Sequence, residues 1–168
     1  NYLDQVFSLN AWLSSMGGHL FSRQVRTASQ LYILGWWLGA VALMWVVAGP
    51  DFTITFLVLW LLARATAFHL ITTFREMCDH FGLQPGGVFT FTRDMACHGF
   101  WRWLIHPRNN GYHLTHHLLP AVPYYRLPEA HRLLKGQEVF RDRGKVCCAY
   151  FTGTDPVTGA WQTQGRVP

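Results

Sequence analysis

Three histidines stand within five positions in the string His113-Leu-Thr-His116-His117. On a helix, positions i, i+3 and i+4 share one face, so three imidazoles would converge there. Such a face is half of a metal site without help from distant sequence. Imidazole suits iron, zinc, copper and nickel, so the ligand type alone does not choose the metal. The competing reading is a polar patch in which each imidazole finds a backbone partner. His80 is the next candidate. If the helix before it is continuous, His69, Thr73, Glu76 and His80 advance by four, three and four and form one stripe. Glu76 is then one turn from His80, placed to orient an imidazole or to hold a metal-bound water. Arg75 and Asp79, at i and i+4 on an adjacent face, are spaced to pair with each other. His19, His98 and His106 have no partner at ligand spacing and read as structural, and His131 reads as a capping or surface residue.

The elements that must position these residues are apolar. Residues 31–48 carry no charge. At ~1.5 Å per residue such a helix nearly crosses a hydrocarbon core of ~30 Å. Gly49-Pro50-Asp51 breaks it, and a second apolar run extends from Phe52 to Phe74. So short a break predicts an antiparallel hairpin. Arg23 and Arg26 precede the first span and Arg75 follows the second, which places both open ends on the positive, cytoplasmic side. The second span holds Arg64 and His69. Ionisable groups at that depth face a cavity or a bundle interior and need partners, so both are expected to line a cavity or be hydrogen-bonded.

Around the hairpin the reading is coarser. Residues 2–22 mix apolar and polar positions at helical spacing, as an interfacial or packed amphipathic helix does. The stretch after Pro85-Gly86-Gly87 is rich in Phe and Trp and suits a membrane interface. Pro107 to Gly111 predicts a turn, the histidine string a helix of about two turns closed by Pro120, and Leu127 to Leu134 a further helix. From Lys145 onward no periodicity is evident.

Composition agrees with a bilayer setting. The chain has eight Trp, and only 14% of its residues are charged, well below the roughly 25% of ordinary globular chains. Its net charge of +5 comes from twelve Arg and two Lys, scattered around apolar runs instead of lining one stripe, which argues against nucleic acid. The four cysteines, Cys78, Cys97, Cys147 and Cys148, make no CxxC pattern, which favours a reducing compartment.

The run from Asn110 to His131, NGYHLTHHLLPAVPYYRLPEAH, resembles the third histidine box of the membrane fatty acid desaturase superfamily, an HxxHH box followed by a Leu-Pro-x-x-His motif. Arg75-Glu-Met-Cys-Asp-His80 is similar to the segment that joins the last transmembrane helix to that box in the family. The resemblance implies a cone of transmembrane helices under a cytosolic cap, and two non-haem irons held by histidines from three boxes. Carried over by position, it makes His80, His113, His116 and His117 iron ligands, with Glu76, Asp79 and Asn110 behind or beside them. The first two boxes and the first transmembrane hairpin of the family have no counterpart here. The chain is therefore expected to be a C-terminal fragment, inactive by itself.

The fold expected is an all-α, multi-pass integral-membrane one: a transmembrane hairpin and a helical cap whose histidine face is cytoplasmic. Its parts would be an interfacial or cytosolic helix over 1–28, the hairpin over 29–74, the cap over 75–144 and a tail over 145–168. The function implied is O₂-dependent introduction of a double bond into a fatty acyl or other lipid chain, with electrons from a ferredoxin or a cytochrome b5-type protein. Arg93, Arg102, Arg108, Arg126 and Arg132 could dock such an acidic carrier. Rivals are a hydroxylase or ketolase of a carotenoid, alkane or other lipid on the same scaffold, a non-catalytic membrane protein that binds metal or haem, and a structural hairpin without metal.

Overall fold

The computed structural model describes residues 2–21 and 25–164. Arg23 lies outside them, as does the side chain of His19. The chain divides after Thr73 into two units, Asn1–Thr73 and Phe74–Pro168.

In the first unit the expected N-terminal helix is two, α1 (Tyr2–Val6) and α2 (Leu9–Phe21). Ser8 separates them, its hydroxyl accepting the Ala11 N–H at 3.4 Å, as a residue ahead of a helix start does. Then come α3 (Thr27–Ala48) and α4 (Pro50–Ala63). The break between them is shorter than the three residues expected. Only Gly49 leaves the helix, at φ +84°, a conformation that favours glycine. Pro50 starts the next helix instead of ending the last, because a first-turn position needs no N–H and suits its fixed φ. Thr53, fully buried, closes the turn by donating its hydroxyl to the Gly49 carbonyl at 2.9 Å. Trp37 and Trp60 sit at nearly equal distances before and after Gly49, and their rings meet at 4.9 Å, so α3 and α4 are antiparallel. Both helices are apolar all round; no residue of α3 is buried.

A π-helical turn over Arg64–Phe68 follows α4 and leads into α5 (His69–His80). The wider turn frees a backbone carbonyl, and that of Ala65 accepts the Trp12 indole N–H at 3.0 Å. Of the two roles expected for the ionisable residues, lining a cavity or being hydrogen-bonded, both take the second, with partners on α1 and α2. Arg64 donates to the carbonyls of Ser15 and Met16 at 3.2 and 3.0 Å, and lies over the rings of Trp60 and Phe68. His69, buried, bonds the Ser15 hydroxyl at 2.9 Å and the Val6 carbonyl at 3.0 Å.

The second unit contains the rest of α5, α6 (Val88–Phe91), strand β1 (Asp94–Met95), α7 (Phe100–Ile105), α8 (His113–Leu118), α9 (Leu127–Lys135), α10 (Glu138–Arg143), strand β2 (Val146–Cys147) and α11 (Val157–Gln164). The described residues are mostly helical, as expected, and add a short parallel pairing of β1 with β2, Asp94 opposite Val146 and Met95 opposite Cys147. Two residues are too few for alternation to signal a strand. The pair matters because it pins Asp94. The tail without evident periodicity supplies β2, α11 and part of the core: Tyr150 and Val157 pack with Cys78, Met95, Cys97, Ile105 and Cys147. Gly111 brings the approach to α8 against β1, its carbonyl accepting the Met95 N–H at 2.6 Å. A Cβ at Gly111 would stand 2.6 Å from the Met95 carbonyl oxygen, so only glycine fits.

Candidate metal centre

The last turn of α5 presents His80 and the single face of α8 presents His113 and His117. One ring nitrogen from each lies within 4.8 Å of those of the other two. The His113 Nε2 is 3.0 Å from the His80 Nε2 and 3.1 Å from the His117 Nε2. Two imidazole nitrogens about 2.0–2.1 Å from one ion are ~2.9 Å apart at a right angle and ~3.3 Å at the tetrahedral angle. The two spacings to the His113 Nε2 fit ligands of one metal ion, and the clustering of the three imidazoles makes them a candidate ligand set.

Protonation favours the same use. The Nδ1–H of His80 donates to the Phe91 carbonyl at 2.9 Å, which leaves the Nε2 lone pair free for a ligand. The ring also stacks on that of Phe91, 5.5 Å between centroids at 3°. Burial, and then the neighbouring His80 and His117, push the pKa of His113 down to about 3. Burial and His116 lower that of His117 as well. His113 is thereby kept neutral at pH 7, as metal ligation requires.

His116 is not in this group. It is exposed and lines a different cavity of about 280 Å³, together with Glu76, Asp79, Asn110, the other side of His113 and Tyr124. The positions i and i+4 of the string, His113 and His117, thus share one point, while i+3 turns away from it. Glu76 is exposed and paired with Arg75 at 2.9 Å, a surface contact of small energetic weight. The expected Arg75–Asp79 pair therefore does not form. Asp79 points inward, where its Oδ1 accepts from the His106 Nε2–H at 3.0 Å and its Oδ2 is 4.0 Å from the His113 Nδ1.

Two side chains that read as ordinary in sequence are buried beside the site. His106, one of the residues with no partner at ligand spacing, bonds Asp79 on one ring nitrogen and the Tyr150 hydroxyl on the other. His131 is buried, not at the surface, and its Nδ1–H donates to the Asp94 carboxylate at 2.7 Å. The same carboxylate accepts the Thr115 N–H at 3.0 Å and the Thr115 hydroxyl at 2.5 Å. Thr115 lies in the first turn of α8, where backbone N–H groups lack partners within the helix. Asp94 therefore caps the helix that carries the histidines, and His131 holds Asp94. Leu127, Ala130 and His131 are the buried residues of α9, at i, i+3 and i+4, a spacing that marked His131 as inward-facing. No spacing in the sequence links Asp79 to His106 or Asp94 to Thr115. Arg93 is also buried and donates to the Phe81 carbonyl, so it does not belong to an exposed basic face. His98 is exposed.

A family model, that of fatty acid desaturases, matches residues 3–147. No curated protein and no solved structure matches the chain. The matched stretch runs from α1 to β2 and takes in both long apolar helices, the three clustered imidazoles and the buried Asp94–His131 pair. On that match, over most of its length, the chain belongs to the fatty acid desaturase family.

Proposed function

We propose that this chain contributes to an O₂-dependent, non-haem iron oxidoreductase of a membrane, which introduces a double bond into a fatty acyl or related lipid chain. The observation that carries the reading is a cluster of three imidazoles from two helices, with one ring nitrogen of each within 4.8 Å of the others, in a chain of this family. Membrane placement is supported by α3 and by the helix Pro50–His80, both long and apolar enough to cross a bilayer. The bare apolar surface of α3 suits a lipid surround. A multi-pass topology with the histidine face cytoplasmic is part of this proposal, and the flanking arginines support it.

His80, His113 and His117 would hold one iron. His116, with Glu76 and Asn110 around the adjoining cavity, is placed to serve a second iron or its water. Bound iron would supply the one-electron chemistry with O₂ that removes hydrogen from an unactivated C–H bond. The chain's own residues keep the ligand set ready. Phe91 fixes the His80 tautomer through its carbonyl and the ring plane through stacking. Burial keeps His113 neutral, so that one ring nitrogen has a lone pair for a metal. Asp94 and His131 anchor the helix that carries two of the three ligands. Electrons would come from a ferredoxin or a cytochrome b5-type protein, for which Arg108, Arg126 and Arg132 offer exposed positive charge.

Metal binding tests the centre. With Fe(II) or Co(II) as the probe, His80→Ala, His113→Ala and His117→Ala should each abolish binding at the three-imidazole point, and His116→Ala should retain it. Undiminished metal content in the triple variant would rule the site out. The reaction is tested by expressing the gene that encodes the chain in cells fed a labelled fatty acid. A product that has lost two hydrogens supports desaturation, and a product that has gained one oxygen supports a hydroxylase on the same scaffold.

A further inference from the structure

Behind His113, on the side away from its Nε2, runs a buried polar chain that metal ligation by itself does not require. Tyr150, His106 and Asp79 are each 3% exposed or less. They come from the segment after β2, the end of α7 and the last turn of α5, and are 44 and 27 positions apart along the sequence. Tyr150 lies beyond the stretch that the family model matches.

The direction of each hydrogen bond follows from its chemistry. Burial raises the pKa of Asp79, and the His106 hydrogen bond opposes that rise. With Asp79 in its carboxylate form, which only accepts, the His106 Nε2 carries the proton shared with Asp79 Oδ1 at 3.0 Å. The His106 Nδ1 is then an acceptor, and the Tyr150 hydroxyl donates to it at 2.8 Å. Burial raises the pKa of Tyr150, which keeps that phenol protonated and a donor. The other oxygen of Asp79 faces the His113 Nδ1 at 4.0 Å. With Nε2 committed to the three-imidazole point, the proton of a neutral His113 sits on Nδ1 and points at Asp79. A ring movement of about 1 Å would bring this contact into the normal hydrogen-bond range of roughly 2.7–3.2 Å.

Packing alone does not call for this arrangement, since apolar side chains of similar volume would fill the same space at no cost in buried charge. A carboxylate with one oxygen tied by a rigid donor and the other aimed at a ligand ring is instead the arrangement that fixes an imidazole and strengthens it as a metal ligand. We propose that Tyr150, His106 and Asp79 form a positioning relay for His113: Tyr150 sets the His106 tautomer, His106 holds the Asp79 carboxylate, and Asp79 receives the His113 Nδ1–H when Nε2 binds metal. The relay rests on the reading of His113 as a ligand.

Co(II) titration of the full chain purified in detergent, followed by its visible ligand-field bands, separates the two readings. Asp79→Asn should weaken Co(II) binding about 10- to 100-fold, the range found for partners that orient a ligand. Tyr150→Phe keeps the ring and the packing and removes only the hydroxyl. It should shift the Co(II) bands and weaken binding by about threefold or more, a smaller effect because it acts through two further groups. If His113→Ala abolishes the bands while Asp79→Asn and Tyr150→Phe keep the parent's affinity and spectrum, the relay is refuted and the metal centre stands. If the parent gives no ligand-field bands, or His113→Ala leaves them unchanged, the metal reading fails and the relay fails with it.

Discussion

Replacing Asp94 by Ala should destabilise the second unit more than any other single loss of a hydrogen-bonding side chain around α8. The carboxylate is fully buried and receives three donors: the Thr115 N–H, the Thr115 hydroxyl and the His131 Nδ1–H. An alanine leaves all three without an acceptor in a place water does not reach. Each unmade buried bond costs about 1–3 kcal/mol. Some donors will relax, so a net loss of about 3–5 kcal/mol is expected, a large share of the ~5–15 kcal/mol that stabilises an ordinary domain. At roughly 2–4 °C per kcal/mol for a chain of this size, the midpoint of thermal unfolding should fall by about 10–15 °C. Near-ultraviolet circular dichroism of the detergent-purified chain measures it. Asp94→Asn keeps one acceptor and the shape, and should lose less. Thr115→Val removes the hydroxyl but leaves the backbone bond, and should cost about 1 kcal/mol. The reasoning is refuted if Asp94→Ala is no less stable than Thr115→Val.

Two further outcomes follow from the same geometry. His113 is held near pKa 3, whereas an unfolded histidine titrates near ~6.5. Below that pH the unfolded chain binds a proton that the folded chain refuses. Metal-free stability should be undiminished by this group above about pH 6.5 and fall as pH drops toward 3. His113→Gln should flatten that slope in denaturation measured across the range, and an unchanged slope would count against the burial argument. Gly111→Ala would place a methyl 2.6 Å from the Met95 carbonyl oxygen. Overpacking against backbone should cost about 1–3 kcal/mol and loosen the start of α8, measurable as faster amide exchange at Met95.

The sequence by itself determined what depends on local order. The apolar runs and Gly49-Pro50 determined two long helices and where they part, because hydropathy and backbone freedom act over neighbouring residues. The spacing of His113 and His117 determined that their rings share a face, because helix geometry is periodic. The histidine box, with the segment up to His80, carried the resemblance to the desaturase family that the family model bears out over residues 3–147. Tertiary structure decided what depends on distant chain meeting itself. It brought His80 to within 3.0 Å of His113 and turned His116 toward another cavity. It gave Asp79 to His106 and not to Arg75, because a buried carboxylate needs a buried donor and Arg75 remains half-exposed beside Glu76. It drew Asp94 to Thr115 and His131 through a two-residue strand pair that no alternation announces. It also folded the tail inward, so that Tyr150, in a stretch without readable periodicity, stands at the far end of a hydrogen-bonded chain leading to His113.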